Sequence, residues 1–271
     1  MRLVITRPAG DAQAWVDALC AAGHQTLALP LIDVGPAANT SPVLQAWAQW
    51  PEWQAVMFVS AQAVRYFFEC QPAAMRAHAG NAASATWGMG PRCWATGPGT
   101  HKALLQAGVP EACIDSPHAN AAQFDSEALW QRVSTQVQPG KPVLIVRGND
   151  VDVESPAPST GTGRDWLAQH LQAAGASAHF VVAYERRPPV WTAEQKAQAS
   201  HAATDGSVWC FSSSQAICHL REAMPAQNWA QARCITTHAR IAQTAQALGF
   251  GEIHACRPSV ADVLISLESL A

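Results

Sequence analysis

The sequence predicts an α/β protein: two similar parallel-sheet α/β/α domains from an internal duplication. Three observations predict it. The chain opens on a strand–helix–strand unit whose helix stops at Gly23. The same unit returns from Pro142 and stops at Gly175. The elements that follow each copy then run in one order. The period, roughly 140 residues, is the size of a domain and far longer than a solenoid repeat.

Leu3 to Thr6 is an apolar, β-branched run and reads as a strand. Arg7 to Asp11 turns the chain. Ala12 to Ala22 carries Trp15, Val16 and Leu19 at helical spacing, and Gly23 suits the left-handed backbone just past a helix end. Thr26 to Leu29 reads as the second strand, interrupted at Pro30. In the second copy Val143 to Val146 is the strand, and Arg147-Gly148 follow it. Asp165 to Ala174 is the helix with Trp166, Leu167 and Leu171, and Ala178 to Tyr184 is the next strand. Aligned on the glycines, Pro36 falls opposite Pro188; aligned on the strands, Arg7 falls opposite Arg147. The arginine and glycine are 16 residues apart in the first copy and 28 in the second. The twelve extra residues, Val151 to Thr162, are rich in Pro, Ser, Thr and Gly and are expected to form a surface loop.

Downstream, Ala55 to Ser60 aligns with Ser207 to Ser212, each a strand breaking into serine ahead of a helical pattern. Ser60 and Ser213 are expected to cap those helices, with Gln62 and Gln215 on their first turns. Cys93 to Gly108, with Gly97-Pro98-Gly99-Thr100 at its turn, aligns with Arg233 to Gly249, which has His238-Ala239-Arg240-Ile241 there. Thr100 is read as a cap first. Ser126 to Val133 and Val260 to Leu267 close the copies as helices. Trp47, Trp50 and Trp53 read as core, and residues 135–142 as a linker.

Phe180 to Pro189 begins as an apolar strand and ends in Arg186, Arg187 and two prolines. It is read as a strand leaving one domain for the other. It holds Tyr184, one of two tyrosines beside eleven tryptophans. The repeat places Ile32 opposite Tyr184, so the scaffold asks for an apolar residue there and the phenol is a departure from it.

Composition narrows the function. At 49% hydrophobic residues the chain can bury two cores, and at net charge −3 with no Lys/Arg block it lacks a nucleic-acid face. No apolar run reaches membrane-spanning length, and the opening run is too short for a signal peptide, so a cytoplasmic location is expected. The eight cysteines occur singly, without a CxxC, and read as small buried hydrophobes of a reducing compartment. The ten histidines show no HxH or HxxxH, so no metal is expected. In a parallel sheet, ligands bind beyond the carboxyl ends of the strands. Here those positions are Thr6-Arg7, Ser60, Gly97 to Thr100, Arg147, Ser212-Ser213 and Thr236-Thr237. Helix N-termini and hydroxyls favour an anion, with Arg7, Arg147, Arg186 and Arg187 as its cations.

These pieces, in order, resemble uroporphyrinogen-III synthase: Val4 to Pro8, Leu29-Pro30-Leu31-Ile32 as a strand, Phe58-Val59-Ser60, Thr96 to Thr100, Leu144 to Gly148, Ala183 to Arg187, Phe211-Ser212-Ser213 and the closing helix. The resemblance implies two α/β domains joined by a two-stranded connection, residues 1–35 with 186–271 forming one and 36–185 the other. It implies closure of hydroxymethylbilane to uroporphyrinogen III with loss of water and inversion of the last pyrrole ring, a lyase reaction without cofactor or metal. The partner is then a linear tetrapyrrole polycarboxylate, with no nucleic acid and no membrane, and the chain is expected to be a monomer. Tyr184 stands where the family has its tyrosine and is the candidate catalytic residue. Arg7, Ser60, Thr100, Arg147, Ser213, Thr236, Thr237 and Arg240 are the candidate substrate-binding residues. Competing readings are a two-lobed small-anion binding protein and an inactive regulatory paralogue, the latter because the second copy lacks the Gly-Pro-x-Thr turn.

Overall fold

A computed structural model describes residues 1–76, 87, 90–118, 123–151, 161 and 165–268. By internal contacts the chain divides into two compact units, residues 1–34 with 187–271 and residues 35–186.

The first unit contains β1 (Arg2–Ile5), β2 (Gln25–Ala28), β9 (Val208–Phe211), β10 (Arg233–Thr236) and β11 (Glu252–Ala255) in the order β11-β10-β9-β1-β2. All four neighbouring pairs are parallel. Parallel neighbours require a crossover, and helices supply it: Ala9–Ala21 between β1 and β2, Ser214–Ala223 between β9 and β10, and Ala239–Leu248 between β10 and β11. β1 and β9 are near-continuous apolar strands because helices cover both faces of such a sheet. One face packs Trp209, Phe211, Trp229 and Phe250; the other packs Leu3, Ile5, Leu19, Ile235 and Val263.

The second sheet has the order β3-β8-β7-β4-β5-β6, from β3 (Asp33–Pro36), β4 (Ala55–Phe58), β5 (Arg92–Ala95), β6 (Ile114–Asp115), β7 (Pro142–Asp150) and β8 (Ser177–Arg187). Five of its strands, β6-β5-β4-β7-β8, repeat the first sheet's order, and β3 is added beside β8. β3 and β8 also carry the chain from one unit to the other. Trp47 and Trp50 stack with centroids 4.5 Å apart, beside Phe67 and Phe68, so the tryptophans expected in the core are there.

The helix ends also agree with expectation: Gly23 and Gly175 adopt φ of 87° and 81°. Four expectations need correction. Leu29–Ile32 is not a strand; Pro30 has no N–H to give a ladder, and the segment folds over its own core, where Leu29, Leu31 and Ile32 are buried. β7 runs on through Arg147 to Asp150, because the extended β8 offers it further partners. Ladder register puts Ser60 opposite Ser213, not Ser212: Ala55 pairs with Val143 as Val208 pairs with Leu3. The cysteines are free thiols of mixed burial, Cys93, Cys210 and Cys234 buried but Cys20 exposed. Of the expected loop 151–162, all but Val151 and Gly161 lies outside the described residues. Among the described residues no helix is long and apolar enough to cross a membrane.

Candidate functional site

In the 35–186 unit the strand order reverses its sense between β4 and β7, which is where an open parallel sheet leaves a crevice at its carboxyl end. β4 is buried throughout and delivers Ser60 to that point. Ser60 is extended, and its Oγ accepts the Ala63 N–H at 3.1 Å, capping the Ala61–Glu69 helix as its spacing predicts.

Tyr184 reaches the same point by a β-bulge. Along β7 and β8, Arg147 pairs with Val182 but Gly148 pairs with Tyr184, so Ala183 is the extra residue. The slip lays the phenol ring over Gly148. A Cβ on Gly148 would lie 2.3 Å from the ring's Cζ, a separation no side chain tolerates. The ring also stacks on Tyr66, with centroids 6.1 Å apart, and Tyr184 is only 3% exposed. Its hydroxyl lies 3.2 Å from Ser60 Oγ and receives the Arg186 Nη1–H at 3.3 Å. Arg186 is held in turn by Asp150 across the β7–β8 ladder. Burial pulls the guanidinium pKa down; the Asp150 hydrogen bond and the nearby phenol outweigh it, and the net shift is upward. The cluster is a fixed cation, a phenol and an alcohol in series.

The other candidates in this unit are less available. Thr100 is 5% exposed, on the first turn of the Pro98–Gln106 helix, whose cap is Gly97; the expected capping role is not the one it has. Arg147, expected beyond a strand end, lies inside β7 at 4% exposure. Its guanidinium sits 4.0 Å above the Phe180 ring and donates to Asp165 at 2.8 Å. Gln62 is on the first turn as expected, half-buried, with its Oε1 enclosed and unpartnered.

In the other unit the reversal falls between β9 and β1. Arg7, Ser212 and Thr237 line one small pocket there with Trp15 and Cys210. Arg7 stacks on Trp15 at 4.0 Å, and burial lowers its pKa against the pull of Asp11. Burial also pushes the Cys210 thiol up to about 12, so it stays protonated. Thr237 gives its backbone N–H to Phe211 at 3.2 Å. Thr236 is 0% exposed and donates its hydroxyl to the His254 carbonyl, so it belongs to the sheet. Ser213 heads its helix without a side-chain cap bond, which corrects the capping expectation. Arg240 is exposed beside His238, whose Nδ1 caps the Ala239–Leu248 helix.

Sequence reasoning did not find the roles of Gly148, Arg186 and Asp150 around the phenol. The Arg-Gly and Glu-Arg-Arg strings are visible, but their meeting depends on the bulge, which has no local signature. Among the described residues no group of three or more His, Cys, Asp or Glu is arranged to hold a metal ion.

The family model for Uroporphyrinogen-III synthase HemD matches residues 13–264. The chain is 26% identical over 269 residues to the uroporphyrinogen-III synthase of Salmonella typhimurium, covering 98% of each. Its fold is similar to that of a uroporphyrinogen-III synthetase from Helicobacter pylori, with TM-score 0.54 and 16% identity over the whole of both chains. A mutant uroporphyrinogen III synthase from Thermus thermophilus is similar with TM-score 0.51 and 13% identity, over 99% of this chain and 98% of that one. Because the family pattern runs through both units with the same strand order in each, the chain belongs to the uroporphyrinogen-III synthase family.

Proposed function

We propose that this chain cyclises hydroxymethylbilane to uroporphyrinogen III, losing water and inverting the last pyrrole ring, as a lyase that uses neither metal nor cofactor. The family match over residues 13–264 carries this reading. Loss of the terminal hydroxyl leaves a resonance-stabilised cation, and the unrearranged ring then closes unaided. The protein's task is therefore to hold the chain so that attack occurs at the substituted carbon, which is a problem of positioning more than of acid strength.

In this reading Tyr184 is the catalytic residue, and its placement in a hydroxyl cluster beside a fixed cation supports it. Ser60 is proposed to face the substrate beside Tyr184, and Arg7, Ser213, Thr237 and Arg240 are proposed to meet the substrate's carboxylates. Thr100, Arg147 and Thr236 are assigned to the scaffold, since each is buried. The two units, residues 1–34 with 187–271 and residues 35–186, are proposed as the enzyme's domains, each boundary one residue from the one the resemblance implies, and the enzyme as a cytoplasmic monomer.

The test is incubation of the purified, EDTA-dialysed chain with freshly generated hydroxymethylbilane, followed by isomer analysis of the oxidised product. Type III isomer is expected. Type I alone from folded protein would replace this reading with that of an inactive paralogue or a binding protein.

A further inference from the structure

We propose that the proton offered to the substrate's departing hydroxyl is held by Ser60, with Tyr184 standing behind it as the relay and Arg186 as the group that orients the phenol. The inference rests on the function proposed above and deepens it.

Arg186 Nη1 can only donate, so at 3.3 Å from the phenol it occupies a lone pair of the Tyr184 oxygen. The cation also polarises the phenol's O–H. The next atom along is Ser60 Oγ, 3.2 Å away. A phenol, with an ordinary pKa of about 10, is a far better donor than an alkyl hydroxyl. The favoured direction is therefore phenol O–H to serine Oγ. Ser60 Oγ also accepts the Ala63 N–H. It then has two incoming bonds, and its own hydrogen is left without an acceptor among the described residues. Ser60 is half-buried where Tyr184 is almost wholly covered, so the serine is the end of the chain that a ligand can reach.

The step balances without a co-reactant. The substrate's C–O bond breaks, and its electron pair leaves with the oxygen. That oxygen takes the Ser60 proton and departs as water. Ser60 takes the phenol's proton, and the phenolate is held beside the Arg186 guanidinium. Closure of the macrocycle releases a proton from a pyrrole carbon, which restores the chain through Ser60.

Ser60→Gly is the informative variant because glycine is nearly as good an N-cap as serine but has no hydroxyl. Type III formation is expected to slow about 100-fold in Ser60→Gly and in Tyr184→Phe, within the range of a positioned proton donor. The double variant should be no slower than the slower single, because the two residues act in series. Ser60→Thr, which keeps a hydroxyl on the same atom, should lose only about tenfold. Full turnover in folded Ser60→Gly with impaired Tyr184→Phe would overturn the proposal and leave the phenol acting alone; multiplicative losses in the double variant would also overturn it. A second reading does not use activity. In tyrosine-labelled protein the Tyr184 hydroxyl proton should be protected from exchange by NMR, and Ser60→Gly should release it. Protection unchanged in Ser60→Gly would refute the hydrogen-bond direction even if the wild-type chain forms no type III product, an outcome that by itself would count against the proposed function.

Discussion

In the 1–34/187–271 unit, Leu3 pairs with Val208 and Thr26, while Val208 also pairs with Arg233. In the 35–186 unit, Val143 pairs with Ala55 and Ala178, while Ala55 also pairs with Arg92. The two ladders therefore have the same register, strand for strand. The residues just beyond them do not match. Where one unit has Pro8 entering a helix, the other has Gly148 inside a strand; where one has Ile32, the other has Tyr184. Arg7 and Arg147 keep the same habit, each 4.0 Å above an aromatic ring, but Arg147 is also paired with Asp165. The duplication fixes what the sheet needs. The departures from it, where one copy has been reshaped to admit a ring, mark what the sheet does not need.

The largest effect should come from closing the space that only one copy has made. Gly148→Ala puts a Cβ into the Tyr184 ring, so the ring must leave or the bulge must straighten. Turnover to type III product is expected to fall at least about 100-fold, or about 2.7 kcal/mol in barrier. Pro8→Ala at the matching position should change turnover less than about threefold. Equal losses in both variants, measured by initial rates on folded protein, would mean that Gly148 serves the sheet and not the phenol.

Two buried indoles, one from each core, differ in a way that stability can read. Trp47 Nε1 donates to the Phe67 carbonyl at 3.0 Å, whereas Trp229 Nε1 is buried without an acceptor. Both indoles lie in stacked aromatic clusters. Trp47→Phe loses packing and a hydrogen bond and should cost about 2 kcal/mol. Trp229→Phe loses packing but removes an orphaned donor, so its cost should stay below about 1 kcal/mol. Urea titration of both variants checks the ranking, and a costlier Trp229→Phe would reverse it.

The contrast between the units also explains what could be read in the sequence. Strands such as Val143–Val146 and Ala55–Phe58 are fully apolar and bounded by turn residues, so they are legible one by one. The helix-end glycines are legible because a left-handed backbone selects the residue. The phenol's departure from the scaffold was legible from the repeat, as the residue at Tyr184 that Ile32 does not match. The site around it was not. Arg186, Asp150 and Gly148 meet Tyr184 only because Ala183 bulges, and a one-residue slip between strands far apart in sequence leaves no trace in either. Burial misled in the other direction. Arg147 and Thr236 look like strand-end donors in the string, yet the longer β7 and the His254 carbonyl absorb them.

The two serines that open matched helices offer a smaller test. Ser60 Oγ accepts the Ala63 N–H, and Ser213 makes no side-chain cap. Ser60→Ala should lower stability by about 1 kcal/mol, and Ser213→Ala by no more than a few tenths. The comparison needs only urea midpoints at constant m-value. Equal costs would show that Ser213 caps its helix in solution.

The smallest effect lies at the opposite end of the sheets. In the first unit Arg2 donates through Nε to Ser207 and also meets Asp205, which accepts from His201 and from the Ser207 N–H. The second unit has Pro142 at the matching position on β7, and the guanidinium at that sheet end is instead Arg92 on β5, paired with Asp115. Burial pushes the Asp205 pKa up, but the Ser207 hydrogen bonds, Arg2 and His201 together outweigh it, and the net shift is downward. A carboxyl held below its unfolded value stabilises the fold at pH above that value, roughly 4. The contribution is lost as pH falls through the lower, folded value. Between pH 5 and pH 3 the wild-type chain should therefore lose stability more steeply than Asp205→Asn, although the variant starts less stable at pH 7. Urea midpoints at three pH values decide it. Parallel slopes would mean that the carboxylate is not held by these partners, and the contrast between the two sheet ends would then have no electrostatic content.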